Sequence, residues 1–182
     1  MKIFRRPDTP LPVGVAERRE ERLGKRPSVR LETSDRDLSP LAAALLAYWQ
    51  SSRRDGGVPD RGAFDPLHLT RWLGYLSVYE YEPDRDDFRN RLEGTYVGNL
   101  TGENWTGRRA SEVDARFGSS FLADLRQVRD RREPTAHLIK VFQKDFSVTE
   151  RVLLPVSTRP GGDADQVFVA IFSNGVRPAQ KA

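Results

Sequence analysis

The stretch GENWTGRR, residues 102–109, has glycines spaced like those of a phosphate-binding loop. Such a loop, G-x-x-x-x-G-K-[ST], needs a lysine that reaches the β- and γ-phosphates and a hydroxyl that holds magnesium. Arg108 and Arg109 occupy those two positions, and the preceding NLTG is not an apolar strand. Because a guanidinium is a planar fork and cannot ligate a cation, the stretch does not indicate a nucleotide site.

Other residues that carry chemistry are scarce. Cysteine is absent, which excludes disulfides, thiolate nucleophiles, Cys-ligated metals and a flavin–cysteine adduct. His68 and His137 are the two histidines, too few for a metal site built on a histidine cluster, and they fit no Ser-His-Asp arrangement. Glu93, Asp145 and Glu150 supply carboxylates, but their spacing forces no pair together. We therefore expect no enzymatic activity.

Most of the net charge lies near the N-terminus. Residues 1–38 carry ten Lys/Arg and seven Asp/Glu, and thus +3 of the formal net charge of +4. With four prolines and few large apolar groups, this segment is typical of a solvated, disordered arm. The alternative is a nucleic-acid-binding protein that uses the basic arm, although the mixed signs argue against a nucleic-acid partner. No apolar run approaches the roughly 18 residues of a membrane helix, and no secretory signal is evident, so we expect a cytoplasmic protein without a membrane partner.

Periodicity from residue 39 onward predicts an α+β domain. Ser39 and Pro40 are suited to begin a helix over 39–54, and Asp65 with Pro66 repeats the pattern for a helix over 65–73. The remaining predicted elements are strands over 75–82 and 88–97, short helices over 98–115, a helix over 117–133, and strands over 134–144, 147–158 and 166–175. Two strands, a helical crossing and a three-stranded meander predict one five-stranded antiparallel sheet.

Several segments, in this order and spacing, resemble a family of small alphaproteobacterial PAS-domain proteins, formerly a domain of unknown function. The resemblance covers about residues 40–175, and the segments that carry it are YWQSSRR (48–54), VPDRGAFDPLHL (58–69), RWLGYLSVYE (71–80), DFRNRLEGTYV (87–97), TGENWTGRRASEV (101–113), ERVLLPVST (150–158) and FVAIFSNG (168–175).

The resemblance implies a PAS-like five-stranded antiparallel sheet with helices on one face and two N-terminal capping helices. It divides the chain into a tail over 1–38, a PAS-like domain over 39–177 and a short tail over 178–182. It also implies a sensory or signalling role, in which a small molecule binds between sheet and helices or a protein partner docks. No output module follows in the sequence, so we expect a signal to leave through a partner protein; whether the chain forms a homodimer stays open.

The resemblance also points to a candidate pocket. Its lining residues are Tyr79, Arg91, Tyr96, Trp105, Phe121 and His137. Core packing is the alternative for the aromatic residues, a structural ion pair for Arg91, and a half-buried strand histidine for His137. In haem-binding PAS domains the ligand usually lies on the long helix, which has no histidine here, so we expect no haem; the cofactor is otherwise unassigned.

The same resemblance reinterprets residues 102–109. Gly102 and Gly107 bound a turn of the type G-x-x-x-x-G that PAS domains carry before a short helix. Relatives usually have an acidic residue and a leucine within it, where this chain has Asn104 and Trp105. The substitution predicts that Trp105 fills part of any pocket beneath the turn.

Overall fold

A computed structural model describes residues 30–31, 38–141 and 147–173 of the chain. Its helices are α1 (Pro40–Ser51), α2 (Thr95–Thr101), α3 (Ala110–Phe117) and α4 (Phe121–Arg131). Its strands are β1 (Arg30–Leu31), β2 (Leu76–Glu82), β3 (Asp87–Leu92), β4 (Thr135–Val141), β5 (Ser147–Val156) and β6 (Gln166–Ser173). The strands form one antiparallel sheet in the order β1-β4-β5-β6-β2-β3.

The predicted α+β class and all five predicted strands are confirmed. The sixth strand, β1, pairs with β4 and belongs to the segment predicted to be a tail. Apart from β1 and Leu38, the two predicted tails lie outside the described residues, as do residues 142–146.

The sheet is covered on both faces. On one, here called the α1 face, α1 and the segment 58–75 pack against alternate residues of β2, β5 and β6, such as Val152, Leu154 and Phe168. On the other, called the helical face, α3 and α4 pack against the intervening residues, such as Leu153 and Val167. The period-2 pattern of the closing strands thus fills two separate cores.

Helix α1 begins as predicted. The Ser39 hydroxyl accepts a hydrogen bond from the amide of Ala42 at 3.3 Å, and Pro40 occupies the first turn. The fully buried carboxylate of Glu150 in β5 accepts the Ser39 amide at 2.7 Å and also its hydroxyl. A sheet carboxylate therefore fixes the N-terminus of α1, where negative charge also complements the helix dipole.

The predicted helix over 65–73 is wrong. Residues 66–72 form successive turns, and a 3-10 helix follows at Leu73–Tyr75. The amides of Trp72 and Tyr75 donate to the carbonyls three residues earlier, at 2.8 Å each. Because three residues per turn align every third side chain, Leu69 and Trp72 are buried together, whereas Leu73 is 42% exposed.

The predicted strand over 88–97 is too long. Strand β3 ends at Leu92, and α2 begins at Thr95 after the N-cap Gly94. A side chain at Gly94 would place its Cβ 2.5 Å from the carbonyl oxygen of Gly74, so only glycine fits at this N-cap without displacing the neighbouring backbone. The β2–β3 register also shifts between Val78 and Tyr79: Leu92 pairs with Val78 and Asn90 with Tyr79, so Leu92 and Asn90 lie on opposite faces of the sheet.

Candidate ligand-binding site

Four polar side chains lie together near the start of β2 and the end of β3. Tyr79 and Asn90 are direct partners in the β2–β3 ladder, and both side chains lie on the helical face. The Glu93 carboxylate accepts hydrogen bonds from Asn90 Nδ2 at 2.5 Å and from Ser77 Oγ at 3.2 Å. Ser77, Tyr79 and Asn90 are buried. These residues, Ser77, Tyr79, Asn90 and Glu93, are called the polar cluster below.

Burial dominates the electrostatics of the polar cluster. It raises the pKa of the Glu93 carboxyl above its ordinary value near 4.5, and the hydrogen bonds from Asn90 and Ser77 only partly oppose this. Burial, assisted by the Glu93 charge, also raises the pKa of the Tyr79 hydroxyl, although Asn90 favours the ionised form. Tyr79 is therefore neutral at physiological pH, and Glu93 holds its charge at a cost.

The turn over 102–109 is fastened to the outer edge of β3. The amide of Asn90 donates to the carbonyl oxygen of Arg108, and the amide of Gly107 donates to the carbonyl oxygen of Asn90, both at 2.8 Å. Gly102 and Gly107 have φ of +72° and +85°, which a side chain would disfavour. The glycine spacing noted in the sequence thus serves turn geometry.

Two arginines, one from the turn and one from β3, form ion pairs with the same carboxylate of the sheet. Glu82 of β2 accepts hydrogen bonds from Nε of Arg89 in β3 at 2.5 Å and from Nε of Arg109 in the turn at 2.8 Å. Both arginines hold the pKa of the Glu82 carboxyl below its ordinary value. Neither arginine is therefore placed as a phosphate ligand would be.

Trp105 is buried inside the turn, with only 2% of its surface exposed. Its ring lies 5.5 Å from that of Phe117 in α3, and the Arg108 guanidinium lies 5.1 Å from the indole centre. Its Nε1–H has no hydrogen-bond partner, whereas those of Trp49 and Trp72 donate to backbone carbonyls at 2.8 and 3.1 Å. That Trp105 fills part of a pocket beneath the turn stays a prediction, with which the burial of its ring is compatible.

A second unsatisfied atom lies next to the same turn. Asn90 is completely buried, and its Oδ1 has no hydrogen-bond partner. Buried polar atoms are almost always bonded to protein or to ordered water, so each exception requires an explanation. The two unsatisfied atoms are an acceptor in Asn90 and a donor in Trp105, and their segments are joined by two backbone hydrogen bonds. Such a pair of atoms is suited to bind a polar small molecule.

Two more predicted site residues lie on the helical face. The ring of Phe121, at the start of α4, meets that of Tyr79 edge to face at 5.0 Å. His137 in β4 is buried and lies opposite Arg151 of β5 in the sheet. Arg151 places its guanidinium 5.2 Å from the Phe121 ring and pairs with Asp124 of α4. Tyr79 and Phe121 are thus in direct contact, with His137 on the same side of the sheet.

Arg91 and Tyr96 lie elsewhere. Arg91 is exposed and pairs with Glu80 at 2.9 Å, on the side of β2 opposite Tyr79. Tyr96 is half-buried on α2, and its ring packs at a tilt against that of Tyr75, with 4.9 Å between ring centres, beside the α1-face core. The structure does not bring these two residues to the polar cluster.

Sequence reasoning missed four residues of this region. Asn90, Ser77, Asp124 and Arg151 were not among the predicted site residues. The available signal was a polar residue at an inward position of a period-2 strand, because such a residue must be satisfied or functional. Glu93 was named in the sequence as a carboxylate with no forced partner, and its contact with Asn90 appears only because the chain leaves β3 at Leu92.

Among residues 30–31, 38–141 and 147–173, no three His, Asp or Glu side chains are grouped to hold a metal ion. Within the same residues, no helix has the length and apolarity required to cross a membrane.

Comparison with known proteins gives one match. Residues 38–170 match the family described as PAS domain, which is most of the chain and nearly all of the region seen here as sheet and helices. No curated protein and no solved structure matches the chain. With the antiparallel sheet, its helical face and this match, the chain belongs to the PAS domain family, whose members have sensory or signalling roles.

Proposed function

We propose that this chain is a non-catalytic sensory domain that binds a small organic molecule at the polar cluster beneath the turn over 102–109. The observation that carries the proposal is that two of the five unsatisfied buried side-chain atoms in the described part of the chain, Asn90 Oδ1 and Trp105 Nε1, lie on segments joined by backbone hydrogen bonds. The lining we assign comprises Tyr79, Asn90, Trp105 and Phe121, with His137 on the same sheet face.

Without a ligand, the protein bears the free-energy cost of its unpaired buried polar atoms. A buried donor or acceptor without a partner costs about 1–3 kcal/mol, and a ligand that supplies the missing partner recovers this cost. Two such atoms near one turn give a binding preference that apolar packing alone does not explain. The T-shaped pair of Tyr79 and Phe121 supplies aromatic surface beside them.

The turn also offers a route for a signal. Trp105 lies in the same turn as Arg109, whose ion pair with Glu82 is at the protein surface. A ligand that repositions the indole therefore acts on a surface contact a few residues away. A protein partner that reads this surface would receive the signal, and we expect both proteins in the cytoplasm.

Native mass spectrometry of the full chain as purified tests the proposal, followed by thermal shift across a metabolite panel. We expect a bound small molecule, or a stabilising compound, whose effect is lost in Asn90→Ala and kept in Asn99→Ala, which alters an exposed residue of α2. Circular dichroism checks that both variants are folded. A bare mass with no stabilising compound would leave only docking of a protein partner.

The nucleic-acid alternative rests on the composition of residues 1–38, which lie mostly outside the described residues. It predicts salt-dependent binding that disappears when residues 1–38 are deleted. A gel-shift assay at low salt that detects no complex would remove it.

A further inference from the structure

We infer that the ligand is an uncharged, planar molecule that carries both a hydrogen-bond donor and an acceptor, as a carboxamide or lactam does. This inference rests on the proposed function and specifies the ligand class of the same site.

The first step is the identity of the two unsatisfied atoms. Asn90 Nδ2 donates to the Glu93 carboxylate at 2.5 Å, and because a carboxylate only accepts, the amide orientation is fixed with Oδ1 as the free acceptor. An indole nitrogen can only donate, so Trp105 Nε1–H is a free donor. A molecule that satisfies both atoms needs one donor and one acceptor.

The second step is position. The turn that carries Trp105 is joined to Asn90 itself, through the amide and the carbonyl of that residue. Trp105 is 2% exposed and Asn90 is fully buried, so both unsatisfied atoms are shielded from bulk water at the same edge of the sheet.

The third step is charge. An anionic ligand bonded to Asn90 would lie beside the Glu93 carboxylate, while Arg151 pairs with Asp124 and Arg109 with Glu82. The exposed Arg108 has its guanidinium 5.1 Å from the Trp105 indole centre. A cation that carries donors alone, such as an amidinium, would offer no acceptor to the Trp105 N–H. Because burying an uncompensated charge costs far more than burying a bonded neutral group, an anion is disfavoured, and a donor-only cation leaves one buried atom unsatisfied.

The fourth step is shape. Two aromatic pairs include residues of this region: Trp105 packs with Phe117 and Tyr79 with Phe121, at ring separations of 5.5 and 5.0 Å. Such surfaces favour flat ligands, which stack or pack edge to face with little loss of conformational freedom.

Four probes of one size separate these requirements: benzamide, benzoate, benzamidinium and acetophenone. Binding is measured to the full chain by ligand-observed NMR and by calorimetric titration. We expect benzamide to bind at least about tenfold more tightly than the other three, since each lacks a partner or adds a charge. Trp105→Phe and Asn90→Ala should each abolish this preference, and Trp72→Phe, which alters an indole on the α1 face, should preserve it.

The outcomes distinguish this inference from the proposed function. If benzoate or benzamidinium binds as tightly as benzamide, and Asn90→Ala weakens that binding, the ligand class is wrong and the proposed function stands. If no probe binds, the ligand class is likewise overturned, and the native mass of the purified chain then decides the proposed function. A crystal structure with ordered water bonded to both Asn90 Oδ1 and Trp105 Nε1, together with a bare mass, would overturn both.

Discussion

The three tryptophans offer an internal test of the unsatisfied indole. Trp49 Nε1 donates to the carbonyl oxygen of Pro155 at 2.8 Å, whereas Trp105 Nε1 donates to no partner, although both side chains are almost fully buried. Replacing each by phenylalanine removes the same atoms, so the loss of ring packing largely cancels between the two variants.

The remaining difference comes from the N–H group. In Trp49→Phe a buried hydrogen bond is lost, which costs about 0.5–1.5 kcal/mol. In Trp105→Phe an unpaired buried donor is removed, which recovers about 1–3 kcal/mol of desolvation cost. Trp49→Phe should therefore be less stable than Trp105→Phe by about 2 kcal/mol or more, which corresponds to about 4–8 °C in Tm for a chain of this size.

Urea unfolding followed by circular dichroism provides the measurement, on protein shown by native mass spectrometry to be free of ligand. Trp72→Phe is the matched control, because its indole donates to Leu41 at 3.1 Å and its loss should resemble that of Trp49. If Trp105→Phe costs as much as Trp49→Phe, the Trp105 N–H is already satisfied and the argument for the ligand site fails.

Three further changes test the surrounding structure. Gly94→Ala should destabilise the fold by about 1–3 kcal/mol, because its Cβ would lie 2.5 and 2.8 Å from backbone oxygens. Gly98→Ala, inside the helix that Gly94 caps, has nothing nearer than 3.8 Å and should stabilise the fold by about 0.5–1 kcal/mol. Equal effects of the two substitutions in thermal unfolding would contradict the close approach at Gly94. Asp124→Ala should cost about 3–5 kcal/mol, because it removes the carboxylate that pairs with the buried Arg151; the two side chains are 8% and 9% exposed. Asp163→Ala removes a carboxylate that is 83% exposed and should cost less than about 1 kcal/mol. Glu93→Gln tests the raised pKa of the Glu93 carboxyl. With a raised pKa, the folded wild type binds this proton more tightly than the unfolded chain does, so wild-type stability falls as the pH rises above about 4.5. In urea titrations from about pH 4 to about pH 7 the variant should therefore gain stability relative to wild type, and a relative loss would show that the Glu93 pKa is not raised.

The sequence by itself determined the parts of the fold that depend on local pattern. Alternating apolar residues placed the five main strands, because side chains of a strand alternate between two faces. Ser39 with Pro40 placed the start of α1, because a cap satisfies backbone groups within one turn. The absence of cysteine and the wrong side chains at 108 and 109 excluded whole classes of chemistry.

Only the tertiary structure decided what the candidate site contains. The chain leaves β3 at Leu92, and Gly94 then approaches the Gly74 backbone, a contact between residues 20 positions apart that no local pattern encodes. That departure brings Glu93 against Asn90. Packing, in turn, left Trp105 buried without a hydrogen-bond partner, because whether a polar atom is satisfied depends on every segment that surrounds it.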